Sequence, residues 1–209
     1  MLLGLVIQLV LGFVIALSGA LIPGPLSVFV ITTVVKSGKK TTGLFAGLGH
    51  CLVEVGIIGT IVLGLTTALQ SPLFQFTINI VGGIALMVFG TMNVLKGRKE
   101  ELKVEATKVS YNSLMGGVVF TLFNATIPIW WATIGLQMLS QAMLTTTVVG
   151  VLFWVVGHWL ADISWFGFLG YSIYKGEKHL GKGWHNNIIT VCGVIMIVLG
   201  LFFLFSTIF

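Results

Sequence analysis

Apolar residues run through this chain in blocks of twenty or more, separated by short polar stretches, and that alternation predicts a series of membrane-crossing helices. The first block extends from Leu2 to Val35, too long for one straight crossing, and Pro23-Gly24-Pro25 interrupts it. Proline lacks an amide donor and restricts the residue before it, so one helix should end near Ile22 and another begin at Pro25. Further spans are expected from Thr41 or Thr42 to about Thr66, Leu73 to Leu95, Ser113 to about Ser140, Thr147 to about Ile173, and Asn187 to Phe209. Pro128 should kink or break the fourth span, and Ser140 to Thr146 should be a loop. Lys36 to Lys40 and Lys175 to Lys182 read as short polar loops, and the longest polar stretch, Lys96 to Asn112, has too little apolar surface for a core of its own and reads as a mobile loop or short surface helix.

Composition sharpens this into a class. Of 209 residues 56% are hydrophobic and 8% charged, and the mean hydropathy is +1.07, outside the range of soluble domains. The chain reads as an all-α integral membrane protein, one transmembrane domain over residues 1–209. The N-terminus lacks a basic region and a small-residue cleavage site, so the first block reads as a retained span. The net charge of +5 would suit nucleic acid, but the cations lie in short loops and no nucleic-acid surface is indicated. All 11 Lys and Arg residues fall after the first, third and fifth spans. By the positive-inside rule those loops are cytoplasmic and both termini face outward.

Three spans per half make the second half enter the membrane inverted relative to the first. Repeat one is 1–96, the cytoplasmic loop 96–112, and repeat two 113–209. The halves share an order of signals: a proline-broken helix, then Gly-His followed by an acid. The motif is Gly49-His50-Cys51-Leu52-Val53-Glu54 in the first half and Gly157-His158-Trp159-Leu160-Ala161-Asp162 in the second. Positions i and i+4 share a helix face, so each half presents one His/acid pair in one direction. Inverted repeats with broken helices place a solute site near the midplane and open it alternately to each side, which is the anatomy of a secondary transporter. No ATP-binding motif is present, so an ion gradient would drive it.

Glu54 and Asp162 are the only acids outside the loops, and ionisable groups at membrane depth are costly enough to suggest a function. Imidazole exchanges protons near neutral pH, so each pair is a candidate proton relay; as a structural alternative, each acid merely neutralises its histidine. The half-helix starting after Pro23-Gly24-Pro25 would aim free amides at a carboxylate. Asn124 and Pro128 mirror that break, with the Asn amide available to freed carbonyls or to solute. Two His and two acids also suit a divalent metal as transported ion. No resident cofactor or enzymatic nucleophile is indicated. The six tryptophans read as interfacial anchors or packing. Gly43 and Gly47 stand at close-contact spacing, which serves internal packing or a homodimer equally.

Several of these residues together resemble the LysE/RhtB family of amino-acid exporters. They are Pro23-Gly24-Pro25, the basic loop with Gly38 and Lys39-Lys40 before Gly43, Gly47-Leu48-Gly49 leading to Glu54, and Gly82-Gly83 to Gly90. In the second half Asn124, Trp130-Trp131-Ala132-Thr133-Ile134-Gly135 and Asp162-Ile163-Ser164-Trp165 are similar to the family's elements. The family's proline commonly follows that asparagine directly, whereas Ala125 stands there and the proline is Pro128. The resemblance implies a six-span exporter in a prokaryotic cytoplasmic membrane, moving amino acids or similar small metabolites outward in exchange for protons. Membrane thiol-disulfide carriers related to this superfamily share the span pattern but need a reactive cysteine pair. Cys51 and Cys192 show no such spacing.

Overall fold

The computed structural model describes residues 2–21, 24–64, 71–98, 112–177 and 182–205; Pro23 and most of the 96–112 loop lie outside them. The described chain is helical: α1 Leu2–Ala20, α2 Pro25–Ser37, α3 Thr42–Val62, α4 Pro72–Arg98, α5 Ser113–Leu122, α6 Thr126–Trp130, a π-helical turn Trp131–Gly135, α7 Leu136–Glu177 and α8 Lys182–Phe205. Five stretches are long and apolar enough to cross a bilayer, and one of them, Thr126–Gly176, has 51 residues. At 1.5 Å per residue that is roughly 75 Å, more than two bilayer cores.

That stretch folds back on itself. A straight helix would hold Trp131 and Trp154 about 34 Å apart, yet their ring centroids are 6.1 Å apart. The reversal is at Thr147, the one non-glycine residue with positive φ among those described (φ 63°, ψ −168°). The segment 140–146, expected as a loop, is helical right up to this turn. Its polar side chains do not interrupt the helix because Ser140, Thr145 and Thr146 donate their hydroxyls to carbonyls four residues back, at 2.8 Å each. Thr147 is exposed and occupies backbone space that is essentially glycine's, at a cost on the order of 1–3 kcal/mol. Thr147→Gly is therefore expected to raise the unfolding midpoint in detergent, and a lowered midpoint would contradict the strain.

The fourth span breaks at Asn124, upstream of Pro128. Pro128 occupies the first turn of α6, where an amide would have no helical partner and a proline is tolerated. Asn124 carries the break: its carbonyl accepts from the Ile127 amide at 3.1 Å, and its side-chain Oδ1 accepts from the Thr126 amide at 3.2 Å and hydroxyl at 2.7 Å. The side chain thus serves freed amides where the sequence suggested freed carbonyls.

Glycines set the packing order. Gly43 lies against Phe166 and Gly47 against Ile163, so α3 runs antiparallel to the second arm of α7. The close-contact face of Gly43 and Gly47 is thereby used within the chain. Gly4 faces Thr146 and Gly12 faces Trp154, so α1 runs parallel to that same arm. Gly83 meets Gly200 and Gly90 meets Gly193, which makes α4 and α8 an antiparallel pair, while Gly117 of α5 lies against Ala46 of α3. The main pairings are thus α1 with the second arm of α7, α5 with α3, α3 with that same arm, and α4 with α8, a set that is unchanged when residues before and after 100 exchange places. Helix α2 sits at the centre, buried on all sides from Pro25 to Val30, as expected of a helix apolar all round. The outer faces carry exposed Leu, Val, Ile and Phe, including Leu52 and Val55 on the side of α3 opposite Glu54, a surface suited to lipid.

Candidate functional site

The glycine contacts that join α3 to α7 bring the two His/acid pairs together. His50 Nε2 lies 3.3 Å from Glu54 Oε1 and 3.9 Å from Asp162 Oδ2. His158 Nε2 lies 3.2 Å from each of the same two oxygens. The four side chains form a closed ring in which acid and imidazole alternate. All four are buried, none more than 5% exposed, so their mutual contacts replace water as the source of charge compensation.

Outside the ring, partners hold its members in place. Thr121 donates its one hydroxyl proton to the Gly117 carbonyl at 2.7 Å, so at 2.9 Å it accepts from His50 Nδ1. That assignment puts the N–H of His50 on Nδ1 and turns Nε2 toward the two acids. Trp131 donates its indole N–H to Glu54 Oε1 at 2.8 Å. His158 is enclosed by Trp130, Trp131 and Trp154, with ring centroids 5.2, 4.8 and 5.3 Å away. These faces exclude water and attract a cation. Glu54 Oε2, His158 Nδ1 and Asp162 Oδ2 are buried without a hydrogen-bond partner, although Asp162 Oδ2 stands at ion-pair distance from His158.

The ring forms one wall of a cavity of about 200 Å³. Gly24, Pro25, Leu26 and Ser27 at the start of α2 line another part of it, with Asn124, Trp130, Phe166 and Phe203. Helix α2 has no side-chain cap, and Val28 is the first residue whose amide bonds back, to Gly24. Among the described residues the amides of Leu26 and Ser27 have no partner, as is ordinary for donors of a first turn. Both helix breaks, at Gly24-Pro25 and at Asn124, therefore meet the same cavity as both His/acid pairs.

Of the residues the sequence singled out, Gly24, Pro25, His50, Glu54, Asn124, His158 and Asp162 are together here. Pro23 lies outside the described residues, and Pro128 is buried in α6 away from the lining. Sequence reasoning gave no chemistry to the tryptophans; Trp131 and Trp154 are interior residues, 0% and 1% exposed, in keeping with packing, but Trp131 also bonds the ring. Thr121 was also missed; its placement seven residues before Pro128 carries no signal of its own.

Buried ionisable groups and broken helices around one cavity, inside a bundle whose outside is apolar, define a multi-pass membrane transporter of small solutes. The LysE type translocator model matches residues 17–207, and the chain belongs to that family. No curated protein and no solved structure matches it.

Proposed function

We propose that the protein is a secondary exporter of amino acids or similar small metabolites, driven by proton antiport. The observation that carries this reading is the shared cavity, which offers complementary groups at two ends. The free amides and partial positive charge of the α2 N-terminus suit a carboxylate. Glu54 and Asp162 suit an ammonium group or a proton, and His50 and His158 can pass protons between them. A zwitterion needs both ends, and the cavity supplies both.

Coupling follows from mutual exclusion. With the acids charged, the cavity attracts a solute ammonium; with protons on the ring, that attraction falls and the solute leaves. Alternation between sides would come from rocking of two inverted halves, 1–96 and 113–209, about the ring they share. The exchange-symmetric pairing of helices supports this. Both termini would face outward, given the positions of the Lys and Arg residues.

The test is efflux of a mixed set of radiolabelled amino acids from proteoliposomes, with and without an imposed pH gradient. Selective movement of a solute that accelerates with the gradient is expected. Absence of movement for every amino acid, by folded protein, would overturn the reading.

A further inference from the structure

We propose that His50, Glu54, His158 and Asp162 form a preorganised site for one divalent transition-metal ion of the Zn²⁺ type. Charge-assisted N–H···O contacts between imidazolium and carboxylate close to about 2.7–2.9 Å. Three of the four ring edges are instead 3.2, 3.2 and 3.3 Å, and the fourth is 3.9 Å. Ligands held about 2.0–2.1 Å from a tetrahedral ion stand about 3.3–3.4 Å from one another. Three of the ring's four edges match that separation, and the fourth exceeds it by about half an ångström. The ligand atoms of His50, Glu54 and Asp162 form a compact trio, all within 4.8 Å of one another, and His158 Nε2 stands beside it, 3.2 Å from each carboxylate.

Two further observations point inward to a ligand. Asp162, 3% exposed, has its Oδ2 without a hydrogen-bond partner while facing both imidazoles, His158 at 3.2 Å and His50 at 3.9 Å. The outer bond of His50 to Thr121, itself tied to Gly117, is the arrangement that fixes a metal-binding imidazole. It holds the proton on Nδ1 and leaves the Nε2 electron pair for the ion. Trp131 orients Glu54 by the same logic through its 2.8 Å bond.

Donor chemistry selects the ion. Two imidazoles with two carboxylates suit Zn²⁺, Co²⁺, Ni²⁺ or Fe²⁺, whereas Mg²⁺ and Ca²⁺ favour oxygen donors alone. Two carboxylates balance the 2+ charge of the ion, so a neutral unit replaces a buried ring of four ionisable groups. Any proton shared along the ring must leave as the ion binds, since Nε2 and the carboxylate oxygens donate the same electron pairs to either. On the exporter reading a bound ion therefore holds the pairs that proton exchange requires.

The experiment is a titration of purified full-length protein in detergent with Zn²⁺, followed by calorimetry, and with Co²⁺, followed by visible absorption. The expected result is saturation at one ion per chain, with the intense d–d bands of tetrahedral Co²⁺. The double variant His50→Ala, His158→Ala should lose both signals. Thr121→Val, which removes no ligand, should weaken affinity about 10- to 100-fold. Size-exclusion elution and circular dichroism establish that each variant is folded. Absence of saturable binding in folded wild type, or equal binding by the double variant, overturns the proposal. No transport is measured, so this outcome is separate from success or failure of amino-acid efflux.

Discussion

Replacing Glu54 by Gln is expected to reduce gradient-driven efflux to the rate of protein-free vesicles while leaving the protein folded in the membrane. Oε1 of Glu54 is the point where the ring and its supports meet, facing His158 at 3.2 Å, His50 at 3.3 Å and Trp131 at 2.8 Å. Glutamine keeps the shape and an oxygen that can still accept from Trp131, but it cannot carry a charge or release a proton. Glu54→Ala differs in an informative way. It leaves the Trp131 indole N–H, fully buried, without an acceptor, at a cost of about 1–3 kcal/mol. The alanine variant should thus lose both transport and stability, the glutamine variant transport alone. Efflux by Glu54→Gln at the wild-type rate under the same pH gradient would remove Glu54 from the coupling mechanism.

The difference between those two variants depends on Trp131, which the sequence did not mark. Helical periodicity makes each His/acid pair legible, because positions four apart must share a face whatever surrounds them. That the pairs meet depends on which helices touch, and this is decided by Gly43 and Gly47 against α7, contacts between residues far apart in the chain. Trp130 and Trp131 are adjacent and identical in type; Trp131 is the one that bonds Glu54, and only the packing of this helix against α3 settles which indole does so. The expected loop at 140–146 failed for a different reason. Serine and threonine clusters signal turns in water, but in an apolar setting their hydroxyls bond back to the helix and continue it. The break assigned to Pro128 moved to Asn124 because proline is tolerated in a first turn and obstructs only an interior one. Local rules thus located most of the apolar helices and the charged pairs, and tertiary contact supplied the ring, its supports and the cavity.

Gly157→Val is expected to destabilise the fold and to disable the ring at the same time. A Cβ at Gly157 would stand 2.0 Å from the Leu9 carbonyl oxygen of α1, and one at Gly12 would stand 2.0 Å from the Trp154 carbonyl oxygen. The obstacles are backbone atoms, which no rotamer change can remove. α1 and α7 must therefore separate by more than an ångström, toward the about 3.5 Å of ordinary carbon contact. Overpacking of this kind costs about 1–3 kcal/mol, and valine exceeds the minimal alanine. His158 follows Gly157 directly and is 3.2 Å from both acids, so displacing this stretch of α7 draws its imidazole out of the ring. Gly56 provides the control, since a Cβ there meets nothing within 4 Å. Gly56→Ala should leave stability unchanged or raise it by up to about 1 kcal/mol through helix propensity. Unfolding midpoints in detergent, measured alongside efflux, should show Gly157→Val lowered in both and Gly56→Ala in neither. Equal midpoints for the two variants would mean that α1 and α7 do not pack through these glycines.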